Sequence, residues 1–217
     1  TRTLVVARNQ LLVISTQLSN QVRGVMKTFG LIVPKGKGSL FDGNVRRLLD
    51  GREDLARIIL PLLEAWRDIR KHAVDLDRQM LAAARQGQAP QLLMTVPGVG
   101  AITAVSYVAA IEDPANFKTS RSVGAWLGLT TRRYQSGEVD YKGHISRRGD
   151  NHLRGLLYEA ATVILTRTSA SNQSSLKEWG LKLRERVGLV SSVVQFSAKV
   201  GFENSLVGGP FISFCRG

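Results

Sequence analysis

The stretch Met94-Thr-Val-Pro-Gly-Val-Gly-Ala-Ile-Thr-Ala104 decides the reading of this chain. Apolar residues lead into a Pro-Gly-Val-Gly turn, and a small-residue helix follows through Ala110. Pro97 ends one helix, and Gly98 and Gly100 can take backbone angles closed to other residues. Glycine at both places also removes side chains that would hold a ligand away from the main chain. A turn opening onto a helix N-terminus points N–H groups and the positive end of the helix dipole at one spot, which suits a phosphate. Gly98, Gly100 and Thr103 are therefore candidate contacts to a nucleic-acid backbone, in the pattern of a helix-hairpin-helix. The plain alternative is a tight turn between packed helices.

Charge favours the first reading. The formal net charge is +13 over 217 residues, with an isoelectric point near 10.6. Residues 1–90 hold 15 Lys/Arg against 8 Asp/Glu, residues 91–187 hold 13 against 8, and residues 188–217 hold 2 against 1. The excess is spread along the chain and is not a tail. Such a balance favours a polyanion through phosphate neutralisation and counterion release. No stretch approaches the roughly 20 apolar residues of a spanning helix, and no secretory signal precedes residue 1, so no membrane partner is expected. Cys215 is the single cysteine, which excludes an internal disulfide and a cysteine metal cluster. The chain opens on Thr1 within a helical pattern and reads like a piece cut from something longer.

Upstream, Leu4, Leu11, Leu18 and Val25 form a seven-residue repeat, with Val22 and Phe29 four residues after the last two. That predicts a long amphipathic helix over residues 1–30. Pro34, Gly36, Gly38, Gly43 and Asn44 predict a loop over residues 31–45. The repeat then returns as Leu55, Ile59, Leu62, Trp66, Ile69, Ala73, Leu76 and Met80, one seam of a second helix. Pro61 is expected to kink or restart that helix. Residues 1–88 thus read as a coiled-coil helical hairpin, and either helix could instead pair with another copy, giving a homo-oligomer.

Downstream, residues 89–187 read as a compact helical domain. Pro114 breaks the hairpin helix, and Trp126 in Val123-Gly-Ala-Trp-Leu-Gly-Leu129 is expected in the core. Thr130 to Arg148 reads as a glycine-punctuated loop or short hairpin, dense in cations. Gly149-Asp150-Asn151 offers a cap for a helix carrying Leu153, Leu156, Leu157, Ala160 and Ile164. Around the loop lie Lys118, Arg121, Arg132, Arg133, Lys142, Arg147, Arg148 and Arg154, interleaved with Tyr134 and Tyr141. Arginine forks for phosphates and aromatic faces for unstacked bases suit a nucleic-acid groove. A solvated charged face is the bland alternative.

Val96-Pro-Gly-Val-Gly100, Trp126-Leu-Gly-Leu129, Gln135-Ser136-Gly137, Gly143-His-Ile-Ser-Arg-Arg-Gly149 and His152-Leu-Arg154 come in the order seen in a large family of bacterial insertion-sequence transposases. The chain resembles these DEDD-type, bridge-RNA-guided serine recombinases closely over about residues 90–187, and the preceding helices look like that family's coiled-coil linker. The resemblance implies a two-part site. A resolvase-like N-terminal domain binds divalent metal, Mg²⁺ in the full-length enzyme, through four acidic residues. A serine of the C-terminal domain attacks a DNA phosphate, and the matching position here is Ser136. The implied partners are DNA and a structured guide RNA, in a bacterial cytoplasmic, nucleoid-associated setting. Arg132, Arg133 and Lys142 are suited to stabilise charge on the attacked phosphate, and His144 to handle protons, although the resemblance transfers neither role.

Two departures stand out. The acidic domain lies outside this sequence; Glu53, Asp54, Glu64 and Asp68 lack the strand context such a site needs and are expected on helix surfaces. Residues 188–217 carry only Lys199, Glu203 and Arg216 as charges, with no sustained helical period, as an out-of-frame or otherwise altered tail would. The fold class expected is mainly α: a long coiled-coil helical hairpin followed by a small helical domain containing a helix-hairpin-helix. The expected function is nucleic-acid binding, without recombination by the chain alone and with no cofactor of its own. Two alternatives stay open: a stand-alone helix-hairpin-helix nucleic-acid-binding protein, and a coiled-coil assembly protein whose basic surface is incidental.

Overall fold

A computed structural model describes residues 1–96, 98–113, 116–117, 120–136, 139–167 and 175–187. The backbone alone is described at 120–121, 131–136, 139–145, 167, 175–177 and 186–187. Pro97, Pro114, Lys118, Gly137 and residues 188–217 lie outside the described residues, and with them the readings placed on those positions. The protein is mainly helical. It forms two compact units, Thr3–Gln79 and one that takes in the chain from Met80.

The first unit is built from α1 (Arg2–Thr28), α2 (Ser39–Leu49) and α3 (Glu53–Gln86). Val22 and Met26 of α1, Phe41, Val45 and Leu49 of α2, and Leu55, Ile59, Leu63 and Trp66 of α3 share one core. Arg8 near the start of α1 pairs with Asp77 late in α3 at 2.7 Å, so these two helices run antiparallel within the unit. The Arg23 guanidinium donates to the carbonyls of Val33, Pro34 and Gly36 and lies 4.8 Å from the Phe41 ring centroid. One side chain thereby fixes the connection and the helix that follows it.

Three expectations change here. The loop expected over 31–45 gives way at Ser39 to α2, because Phe41, Val45 and Leu49 recur every fourth residue and all reach the core. Their burial outweighs the weak helix propensity of Gly43, which has nothing within 4 Å of its Cβ position. Helix α3 continues through Pro61 without a restart, since Ile59 and Leu63 on either side are fully buried. Leu63 also takes the deep place that the seven-residue seam gave to Leu62, which is half-buried. The departure is local, since Ile59, Trp66, Ala73 and Met80 keep the seven-residue spacing and all are buried, as is Leu55 of the same seam.

The second unit contains α4 (Gln88–Met94), α5 (Ala101–Ile111), α6 (Ser120–Trp126), β1 (Thr131–Ser136), β2 (Val139–Ile145), α7 (Asn151–Arg167) and α8 (Ser175–Val187). Helix α5 packs between α4 and α7, and α8 packs on α7. Leu93, Val99, Ala104, Tyr107, Leu127, Leu153, Leu157 and Ile164 form the centre of its core. The cation-rich loop is an antiparallel two-stranded hairpin, with Thr131 opposite Ile145 and Ser136 opposite Val139. Trp126 is 42% exposed and meets Phe117 edge-on at 5.7 Å; the core position is filled by Leu127 next to it.

Candidate nucleic-acid interface

The turn between α4 and α5 closes through the Val99 N–H, which donates to the Val96 carbonyl at 3.1 Å. Gly98 sits at the third turn position with φ +82°, where only glycine is comfortable. A Cβ there would come within 2.8 Å of both the Ala160 carbonyl oxygen and Ile164 Cγ1. Gly98 therefore seats the turn directly on α7, which is a packing task. Gly100 differs: it caps α5 at ordinary angles, its Cβ position faces open space, and no side chain caps the helix. Thr103, one turn on, is 9% exposed. Of the three turn candidates, Gly100 is the one with room for a ligand.

The base of the β-hairpin is tied by a second close approach. The Ser146 N–H donates to Thr130 O at 3.0 Å and the Arg147 N–H to Gly128 O at 3.1 Å, extending the pairing beyond the strands. A Cβ on Gly128 would lie 2.0 Å from Arg148 O, and one on Gly149 would lie 2.2 Å from Trp126 O. Arg154 locks the same corner, donating to Leu127 O at 3.1 Å and to Asn151 Oδ1 at 2.7 Å. Asp150 Oδ1 accepts the Leu153 N–H at 2.9 Å and caps α7, as its place in the sequence indicates. Arg147 and Arg148 stand exposed at this corner, and Arg147 holds φ +54°, a conformation costly for a residue with a side chain.

On the hairpin itself, Arg133 partners Lys142 and Tyr134 partners Tyr141. Arg132 and Ser136 lie on β1, Ser136 at its last position. His144 lies on β2. Among the described residues, no three His, Cys, Asp or Glu side chains converge as a metal site. No helix of the described residues is long and apolar enough to cross a membrane. Burial pushes the Tyr107 phenol well above the usual tyrosine range and keeps it neutral.

The corner joining Leu127–Leu129 to Arg147–Asn151 escaped the sequence reading. Its signal was two glycines, Gly128 and Gly149, in separate motifs; nothing in either motif indicates that the two backbones meet.

These same segments match known proteins. Residues 90–176 match the transposase IS116/IS110/IS902 family. A probable family 20 transposase of Pseudomonas aeruginosa is 31% identical over 85% of this chain and 56% of its own length. A putative transposase of Sinorhizobium fredii is 32% identical over 87% of the chain and 50% of its own length. The transposase for insertion sequence element IS1111A of Coxiella burnetii is 29% identical over 88% of the chain and 54% of its own length. The chain thus spans about half the length of the curated relatives it matches. The matched domain carries the turn, the glycine corner and the hairpin.

Proposed function

We propose that this chain is the nucleic-acid-binding C-terminal part of an insertion-sequence transposase, working on DNA through Ser136 together with a separate acidic, metal-binding domain. The observation that carries the reading is the hairpin register, which sets Ser136 at the end of β1, three positions from Arg133 and so on the alternate face of the ladder from the Arg133–Lys142 partnership. Like charges at partnered ladder positions are unfavourable by themselves. A phosphate bound there removes the conflict, and arginine offers it a planar fork. In the reaction, Ser136 Oγ bonds to phosphorus and gives up its proton, while a sugar oxygen leaves as a hydroxyl and takes one up. A serine hydroxyl needs activation for this. In this reading that activation comes from the acidic domain and its Mg²⁺, and the chain alone binds DNA without recombining it.

The remaining parts take supporting roles. The α4–turn–α5 segment acts as a helix-hairpin-helix, with Gly100 and the start of α5 gripping backbone. Helices α1 and α3 act as a coiled-coil linker through which copies assemble. A structured guide RNA is the second partner. Binding of two unrelated DNA duplexes, followed by fluorescence anisotropy across a salt series, tests the reading. Affinity falls steeply with salt for both sequences, and the Arg147→Gln/Arg148→Gln pair flattens the slope of log K against log salt by about 2. Absent or salt-independent binding contradicts it.

A further inference from the structure

The first unit carries a second feature suited to anions. An open cleft of about 520 Å³ lies between the start of α2 and one face of α3. Arg67, Arg70, Lys71 and Arg78 line it from α3, and Asp42 and Asp75 are the carboxylates in its wall. Asp75 is already engaged, whereas the buried Asp42 Oδ1 accepts no hydrogen bond among the described residues and is only loosely paired. Asp75 Oδ1 accepts from Arg78 at 2.8 Å, while Asp42 lies 3.3 Å from Arg46 and 4.0 Å from Arg67. Arg70 lies 5.4 Å from the Trp66 ring centroid and has no carboxylate partner among the described residues. Lys71 is exposed and has neither hydrogen bond nor ion pair among them. Two cations therefore remain uncompensated, facing a helix start that has no side-chain cap at Gly38. The positive end of the α2 dipole lies at the same place, offset in part by Asp42 in its first turn.

We propose that this cleft binds the phosphodiester backbone of a nucleic-acid strand, as a grip separate from the hairpin. The length of the basic face, counting the ion-paired Arg67 and Arg78 at its ends, favours a strand over a single phosphate. Arg67 to Arg78 spans about 16 Å at 1.5 Å per helical residue, against about 3.4 Å of axis per phosphate along one strand. Trp66 is 5% exposed, so no aromatic face is open to stack a base, and the cleft reads backbone without sequence. The inference rests on the nucleic-acid reading above and adds a contact that the matched domain does not contain.

The test uses the full chain and two probes, a DNA duplex and an RNA hairpin, each titrated across a salt series. Arg67→Gln/Arg70→Gln/Lys71→Gln is compared with Lys27→Gln/Arg47→Gln/Arg57→Gln, which removes equal charge from exposed positions outside the cleft. The cleft variant lowers the salt slope by about 2 to 3 on whichever probe occupies it, and the other variant leaves it nearly unchanged. Circular dichroism checks the fold. If the triple variant does not fold, Lys71→Gln alone lowers the slope by about 1. Equal losses from both triple variants overturn the cleft in favour of diffuse attraction. An unchanged slope on both probes, with the Arg147→Gln/Arg148→Gln pair still weakening binding, overturns the cleft and leaves the transposase reading standing. Absence of binding by the unaltered chain overturns both.

Discussion

Gly128 and Gly149 press two loops together more closely than any side chain permits. A Cβ on the first would stand 2.0 Å from Arg148 O, and one on the second 2.2 Å from Trp126 O. Both residues also hold positive φ, +69° and +104°. Backbone hydrogen bonds from this corner run straight into the base of the β-hairpin. The orientation of the hairpin that carries Ser136 therefore depends on two glycines in different motifs.

Gly128→Ala and Gly149→Ala should each cost several kcal/mol, since neither backbone conformation nor space accommodates a methyl group. Gly155→Ala serves as the opposite case. That residue lies within α7 with nothing within 4 Å of its Cβ position, so alanine should raise stability by about 0.5–1 kcal/mol. Urea unfolding of the three variants checks the contrast, and similar midpoints for all would remove the corner from the account.

The two turn glycines should separate in the same way. Gly98→Ala places its methyl against the Ala160 carbonyl and Ile164 at a positive φ and should destabilise by about 2–4 kcal/mol. Gly100→Ala, which loses only a favourable cap residue, should cost no more than about 1 kcal/mol and weaken DNA binding instead. Thermal melts and anisotropy on the same preparations distinguish a packing residue from a ligand-facing one.

In the first unit, Leu63→Ala should cost about 2–5 kcal/mol. Leu62→Ala, at a half-buried position, should cost distinctly less. A reversed order in chemical denaturation would restore the strict seven-residue seam.

Much of this was legible in the sequence because burial repeats with the helix. Leu55, Ile59, Trp66 and Met80 announced α3 and are buried. Asp150 announced the cap of α7. Helix α2 was hidden because Gly36, Gly38 and Gly43 speak for a loop in local terms, while its stability comes from Phe41 and Val45 entering a core built by other helices. Trp126 was misread for a related reason: an apolar run gives hydrophobicity but not which neighbour faces inward. The corner was illegible because it joins residues about twenty positions apart through backbone atoms, which leave no pattern in side-chain type. The placement of Ser136 at the end of a strand followed only from register.

Alkaline pH offers a further check. Burial raises the Tyr107 phenol pKa in the folded chain above its unfolded value. The stability this contributes is fully present below the unfolded pKa of about 10 and is lost as pH rises towards the folded value. Stability should therefore decline above about pH 10, and Tyr107→Phe should blunt that decline relative to the unaltered chain. Parallel pH–stability curves would remove the burial argument.

If Ser136 forms the bond to DNA, as proposed, it needs an acidic partner domain to do so. The direct measurement offers a suicide DNA substrate, with Mg²⁺, to this chain alone and to the chain fused to the part of the Pseudomonas aeruginosa relative lying outside the match. Denaturing electrophoresis then reads covalent protein–DNA adducts. An adduct is expected from the fusion, lost in Ser136→Ala, and none from the chain alone. An adduct that survives Ser136→Ala, or one formed by the isolated chain, would contradict the proposal.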